Sequence, residues 1–247
     1  MSDPLCAIHQ PNFFPRLSTL AKLFTADIWI ILDDVQFTRR DYQHRCLVAG
    51  PDTVERWLTV PVHLPAGRAT LIRDVLIADP ARARSRVAAI IRRDYRHTPY
   101  WPAIRDLLAQ VDDVFACSDR LTDVSETSTQ ALLRALDWPG LIYRSSDLPA
   151  RTGRSERLAD LTLAVGASTY LCGTGGARYL DQQPFTTNGI TVDHFRPPQP
   201  RQNITALSAF ATAGPTKLAT QLAEHASCWQ PSPRRLPYAE GSGHRVG

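Results

Sequence analysis

Residues 5–45, LCAIHQPNFFPRLSTLAKLFTADIWIILDDVQFTRRDYQHR, decide the fold. Leu5-Cys6-Ala7-Ile8 is a short apolar run, and Ile28-Trp29-Ile30-Ile31-Leu32 is a longer one rich in β-branched and aromatic side chains. Both have the composition of strands covered on both faces. Between them Leu17, Leu20, Ala21 and Phe24 recur at helical spacing, with Pro15 near the helix start and Ser18 in its first turn. A strand–helix–strand crossover is right-handed and makes its two strands parallel, so their carboxyl ends meet one edge of the sheet.

His9-Gln10 and Asp33-Asp34 stand at those two ends. Open parallel sheets bind ligands beyond the carboxyl ends of their strands, which is where these four polar residues fall. The same spacing also suits a plainer role, with His9 capping a strand and the aspartates opening a turn. Further on, Leu141-Ile142-Tyr143 runs into Arg144-Ser145-Ser146-Asp147, and Thr169-Tyr170-Leu171-Cys172 into Gly173-Thr174-Gly175-Gly176. Serine hydroxyls and glycine-rich backbone amides past strand ends suit an anion. The glycine turn matches neither the dinucleotide fingerprint nor the P-loop, whose lysine is missing. Four strand ends, at His9, Asp33, Ser145 and Gly173, thus carry site-like residues.

The fold expected is α/β, a mainly parallel sheet flanked by helices, with residues 1–226 as one domain and a helical insertion at about 80–138. The histidine after the first strand and the serines after a late one also resemble nucleotidyltransferase-like α/β folds, an analogy of fold only. Trp57 to Val62 and Leu71 to Ile77 read as further strands, Thr205 to Ala213 as a helix stopped by Gly214-Pro215, and residues 227–247 as a disordered tail. Asp79-Pro80 opens a helix carrying Arg82, Arg84, Arg86, Arg92, Arg93 and Arg96 around an apolar stripe. That face is either solvated or a dock for an acidic partner such as an acyl carrier protein.

Composition sets outer bounds. The chain has 247 residues, 43% of them hydrophobic, ordinary for a globular protein. No apolar run reaches bilayer length and no secretory signal opens the sequence, so the default expectation is a cytoplasmic protein without membrane partners. Five scattered cysteines lack CxxC spacing, which signals neither a metal site nor a disulfide framework. A formal net charge of +4 is too small to imply nucleic acid.

The motifs HQPNFFP, ILDDVQFTRRDYQHR and WLTVPV, with RSSDL at 144–148, YLCGTGGARYLD at 170–181 and NITALSAFATAGP at 203–215, resemble the WbqC-like family of bacterial O-antigen and natural-product gene clusters. Departures occur where family members tend to read WLGYF after FFP, here Arg16-Leu17-Ser18-Thr19-Leu20, and QNRN, here Gln43-His44-Arg45-Cys46. A lysine frequent near Ala177 is also absent.

The resemblance implies an enzyme transferring glycine or another acyl group to an amine or hydroxyl acceptor. His9 would act as general base, and Asp33 or Asp34 would orient it or bind the acceptor. Gln10, Asn12, Gln36, Arg39, Tyr42 and Arg45 would contact substrate, Arg45 with the best claim because it lies in the family-like segment. Gly173, Gly175 and Gly176 would hold an anionic donor, with Ser145 and Ser146 holding phosphates if the donor is a nucleotide. The cofactor stays unassigned. A nucleotide-dependent carboxylate-activating enzyme and a noncatalytic binding subunit are the alternatives, and Cys172 as nucleophile is the less favoured reading of that position.

Overall fold

The computed structural model describes residues 3–50, 54–176, 178–197 and 203–228. Its centre is a five-stranded, wholly parallel sheet built from β1 (Leu5–His9), β2 (Ile28–Ile31), β7 (Leu141–Arg144), β8 (Thr169–Cys172) and β9 (Thr191–His194). The strand order is β7-β2-β1-β8-β9. The α/β class expected from the sequence is the class observed. Two small antiparallel pairs accompany the sheet, β3 (Arg45–Val48) with β4 (Arg56–Thr59) and β5 (Val62–His63) with β6 (Leu76–Ile77). The strand expected over residues 71–77 is mostly a 3-10 turn, Ile72–Asp74, that leaves only β6 extended.

The period-two alternation of the strands separates two cores. Leu5 and Ala7 of β1, Trp29 and Ile31 of β2 and Leu171 of β8 enter a large cluster on one face. Cys6, Ile8, Ile28, Ile30, Tyr170 and Cys172 enter a smaller one on the other. Successive side chains point to opposite faces, and a doubly covered strand has no polar face to show.

The connections cover both faces of the sheet. From β1 the chain moves toward β2 and β7, carrying α1 (Leu17–Thr25) and the helices α2 (Pro80–Tyr95), α3 (Trp101–Cys117) and α4 (Leu121–Ala135) over the face of the large core. From β7 it moves the other way, carrying α5 (Arg154–Ala164) and the short α6 (Gln183–Thr187) over the opposite face. The strand order therefore reverses between β1 and β8, where a right-handed doubly wound sheet opens a crevice.

Residues α2 to α4 are the helical block expected from Pro80 onward, and α7 (Ala206–Ala213) closes the large core. Gly214-Pro215 does not end helical structure: Pro215 starts α8 (Pro215–Cys228), which packs on α1. Gly214 sits at φ 80°, a turn that lets one helix end and the next begin. The tail expectation concerns residue 227 onward; 227 and 228 are helical, and the remainder lies outside the described residues.

Asp79 caps α2 as its sequence suggested, its Oδ1 accepting from the Arg82 amide at 2.9 Å with Pro80 in the first turn. Asp79→Ala is expected to lower stability by about 1 kcal/mol, read as a lower urea midpoint at unchanged slope.

Candidate functional site

A cleft of about 840 Å³ opens where the strand order reverses, beyond the carboxyl ends of β1 and β8. Four parts build it. The loop after β1 supplies His9, Gln10 and Asn12; α1 with the residue before it supplies Arg16, Ser18, Thr19 and Lys22. The turn after β8 supplies Gly173 to Gly176, and α5 with the segment before it supplies Thr152, Arg154, Ser155 and Arg157. Since α1 and α5 lie on opposite faces, two helix N-termini converge on one crevice, and their dipoles favour an anion between them.

The loop after β1 is held from behind. Asn12 is 3% exposed, and its carbonyl accepts from Thr129 Oγ1 of α4 at 2.9 Å. The Phe14 amide donates to Ser128 Oγ at 2.8 Å. Phe14 itself is a non-glycine residue at φ 43°, a conformation that persists only when its surroundings enforce it. The helical block thus backs the HQPNFF loop through small hydroxyl side chains. Asn12 Oδ1 has no partner among the described residues.

His9 Nδ1 lies 2.7 Å from the Gln10 carbonyl oxygen. A carbonyl only accepts, so Nδ1 carries the proton and Nε2 keeps its lone pair. Burial, then the charge of Lys22, then Arg16, lower the imidazole to about 3, against the bond to Gln10, so the ring is neutral. Gln10 Oε1 accepts from Gln43 Nε2 at 2.6 Å.

Lys22 is the residue the sequence reading did not single out. It is 4% exposed on α1, and its Nζ donates to the Ile8 carbonyl at 2.9 Å. The same Nζ lies 3.5 Å from where a Cβ on Gly173 would stand, so it reaches across the sheet edge between β1 and β8. Among the described residues no carboxylate lies within ion-pair distance of it. Burial lowers the ammonium to about 8, partly opposed by the thiols of Cys172 and Cys6. Its sequence signal was faint: a cation flanked by Ala21 and Leu23 in a helix whose residues 19–23 are all buried.

The two aspartates share the sheet edge with His9 without lining its cleft. Asp33 is buried and takes Ser146 Oγ at 2.8 Å and the Ser146 amide at 3.1 Å. Ser145 Oγ shares its proton between Asp33 Oδ1 at 3.0 Å and Asp34 Oδ1 at 2.5 Å. The other oxygen of Asp34 accepts from Arg157, which stands in the cleft wall. Asp33 and Ser146 face a second, smaller hollow with Arg73, Arg120, Asp123 and Arg144. Behind it Glu126 takes Arg144 Nε at 3.0 Å and Nη2 at 2.8 Å; burial, opposed by Arg144, raises its carboxyl to about 7.

The remaining expected contacts are spread more widely. Arg45 stacks over Trp57 at 4.3 Å and gives its guanidinium to the Asp41 and Arg40 carbonyls, so its fork is spent on its own loop. Arg39 is exposed, and Gln36 bonds the Arg68 carbonyl. Tyr42 sits 4.2 Å beneath Arg16, and Arg16 is the arginine of this region that enters the cleft. Of the expected residues the cleft therefore gathers His9, Gln10, Asn12, Gly173, Gly175 and Gly176. It does not gather Asp33, Asp34, Gln36, Arg39, Tyr42, Arg45, Ser145 or Ser146.

Among the described residues after the glycine turn none is helical before α6 starts at Gln183. Cys172 is buried, and burial raises its thiol above the ordinary value, which keeps it protonated.

Residues 10–209 match the sequence model of the WbqC-like protein family, from Gln10 just past His9 into α7. The chain belongs to that family. It is also 28% identical over 194 residues to the uncharacterized protein Rv1507c of Mycobacterium tuberculosis, an alignment covering 76% of this chain and 80% of that one. No solved structure matches it. The matched span includes every part of the cleft except His9 and Ile8, which immediately precede it. Among the described residues no helix is long and apolar enough to cross a membrane.

Proposed function

We propose that this WbqC-like protein is a transferase that moves an acyl or aminoacyl group, glycyl-like in size, from an anionic donor to an amine or hydroxyl acceptor, in bacterial polysaccharide or specialised-metabolite synthesis. The observation that carries the reading is the pairing, in one cleft, of a neutral imidazole whose Nε2 is unprotonated with a buried ammonium across the sheet edge. His9 Nε2 takes the proton of the attacking amine or hydroxyl. Lys22 and the amides of the glycine turn stabilise negative charge on the acyl oxygen and donor. Asp34 acts through Arg157, holding that guanidinium in the cleft wall, and Asp33 with Ser145 and Ser146 fixes the loop that carries Asp34.

A second reading, nucleotide-dependent activation of a carboxylate, is favoured by the position of the cleft at the reversal of strand order. Two assays separate them. Release of free thiol from glycyl- or acetyl-coenzyme A, dependent on an amino-sugar acceptor, is expected for the transferase. Exchange of labelled pyrophosphate into ATP in the presence of glycine is expected for the activating enzyme. Absence of both removes both readings.

A carrier-protein donor has a surface to meet. Arg84 is taken up by Asp112 and Arg93 by Asp94, while Arg82, Arg86, Arg92 and Arg96 remain exposed on α2. Reversing Arg86 and Arg92 together to glutamate is expected to weaken acyl carrier protein binding about 3- to 30-fold, with a steeper loss at low salt. Unchanged affinity in surface plasmon resonance removes the carrier protein as partner.

A further inference from the structure

We propose that the crevice between β1 and β8 binds a diphosphate ester, with Lys22 Nζ and the backbone amides of Thr174 and Gly175 gripping the diphosphate. The proposal rests on the reading of this cleft as the donor site and names the chemical class of that donor.

An ammonium buried to 4% exposure, with no carboxylate in ion-pair distance among the described residues, is an unfavourable arrangement unless something else supplies negative charge. Among the described residues Lys22 spends one of its three N–H donors, on the Ile8 carbonyl, which leaves two for a ligand. The glycine turn stands against it. Gly176 N donates back to the Gly173 carbonyl at 3.0 Å, closing the turn, while a Cβ added at Gly175 would meet nothing within 4 Å. The turn is therefore open around Gly175, and Thr174 and Gly175 both line the cleft, the setting in which short glycine turns cradle phosphate oxygens.

Charge counting separates a diphosphate from a simple carboxylate. The cleft lining carries Arg16, Lys22, Arg154 and Arg157 against Asp41, and Asp34 answers Arg157 from behind. Among the described residues two of these positive charges stay uncompensated after both aspartates are counted. One carboxylate would leave a surplus; two bridged phosphates would not.

Size argues for an ester in place of the bare anion. At about 840 Å³ the cleft is near the upper end of small-molecule sites, far larger than pyrophosphate needs. Asn12 Oδ1, buried and without a partner among the described residues, offers an acceptor for an N–H or O–H of the organic part. Burial of Lys22, which lowers its ammonium to about 8, is relieved once a multiply charged anion sits beside it. Nucleoside polyphosphates and coenzyme A-type pantetheine donors share this chemistry and serve the two functional readings respectively.

Isothermal titration of the full chain with inorganic pyrophosphate tests the anchor. Wild type is expected to bind it, with affinity at least about 10-fold weaker in Lys22→Met, the size of a lost hydrogen bond to a charged group. Gly175→Glu, which places a carboxylate in open space at the turn, is expected to weaken it likewise without touching the core. Asp79→Ala, at the start of α2 and outside the cleft lining, is expected to bind as wild type. Failure of wild type to bind pyrophosphate, or equal affinity in both Lys22→Met and Gly175→Glu, overturns the proposal. Displacement of pyrophosphate by ATP assigns the ester to nucleotides and displacement by coenzyme A to pantetheine donors, whereas displacement by neither overturns the ester. Lost pyrophosphate binding alongside His9-dependent turnover sinks this inference alone. Intact binding with turnover indifferent to His9 sinks the transferase reading alone.

Discussion

His9→Ala is expected to slow product formation by about 100- to 10,000-fold, the range over which a positioned general base acts, while the fold stays as in wild type. The expectation comes from the tautomer. The Gln10 carbonyl holds Nδ1–H, so the proton-accepting nitrogen is Nε2 of a ring that lines the cleft. In the ligand-free protein that nitrogen is a poor base, because burial and the charges of Lys22 and Arg16 lower the imidazole to about 3. An anionic donor offsets those charges, so donor binding is expected to raise the His9 pKa and turn the base on when the donor arrives.

Proton titration of His9 by NMR with and without saturating pyrophosphate measures this directly. A pKa that does not rise, together with a fall in turnover below 10-fold in His9→Ala, removes the imidazole from the chemistry. The stability consequence has a definite sign. Because the folded-state value lies below the ordinary 6.5, the unfolded chain takes up the proton first. Neutral His9 thus contributes its full share above pH 6.5, and that share is lost as pH falls through 6.5 toward 3.

Lys22→Met is expected to make the free protein more stable, by about 1–3 kcal/mol at pH 7, within the range found when buried charges are replaced by apolar side chains of similar size. Lys22 is buried, its ammonium has one hydrogen bond to the Ile8 carbonyl among the described residues, and its folded-state value of about 8 lies below the ordinary 10.5. Between pH 8 and 10.5 the unfolded chain holds more protons than the folded one, so wild-type stability rises with pH across that window. At pH 7 the penalty of the buried charge is fully present, and methionine removes it.

Urea unfolding at pH 7 and at pH 10.5 is the measurement. The variant's advantage is expected to be large at the first and small at the second. A variant less stable than wild type at pH 7 would mean that the ammonium is a structural strut. Stability gained at the expense of ligand binding is what a residue retained for function shows.

The parts of the fold that were legible in the sequence were those with local signals. The parallel β1-α1-β2 unit follows from apolar runs, helical spacing and crossover length, and each of these is a property of adjacent residues. The α2 start at Asp79-Pro80 and the strand Thr169–Cys172 were legible for the same reason. The 3-10 turn within residues 71–77 was not, because Leu71, Ile72, Val75 and Ile77 are apolar in a pattern that a short strand and a folded-back loop share. The α8 helix was hidden by reading Gly214-Pro215 as a stop, when the same dipeptide equally serves as a C′ residue followed by a first-turn proline.

The candidate site divides along the same line. His9, Gln10 and the glycines line the cleft because strand ends of a parallel sheet point to one edge, a rule needing only strand order along the chain, whereas Asn12 was named only with the family-like motif. Arg45 was favoured by its motif, yet Trp57 and the backbone of its own loop take its guanidinium, while Arg16 enters the cleft propped on Tyr42. An arginine has reach in many directions, and only the packing around it selects one.

The sequence by itself determined a parallel α/β sheet, its family, and the edge where histidine, aspartates, serines and glycines would gather. Only the tertiary structure decided how that edge is divided. It separates His9 and the glycine turn from Asp33 and Asp34 by the Asp34–Arg157 contact, and it brings Lys22 in from the helix. The physical reason is range: hydrophobic period and turn chemistry act over a few neighbouring residues. The neighbours that fix the protonation of Lys22, by contrast, come from β1 and β8, separated by more than 150 residues of chain and joined only when the sheet closes.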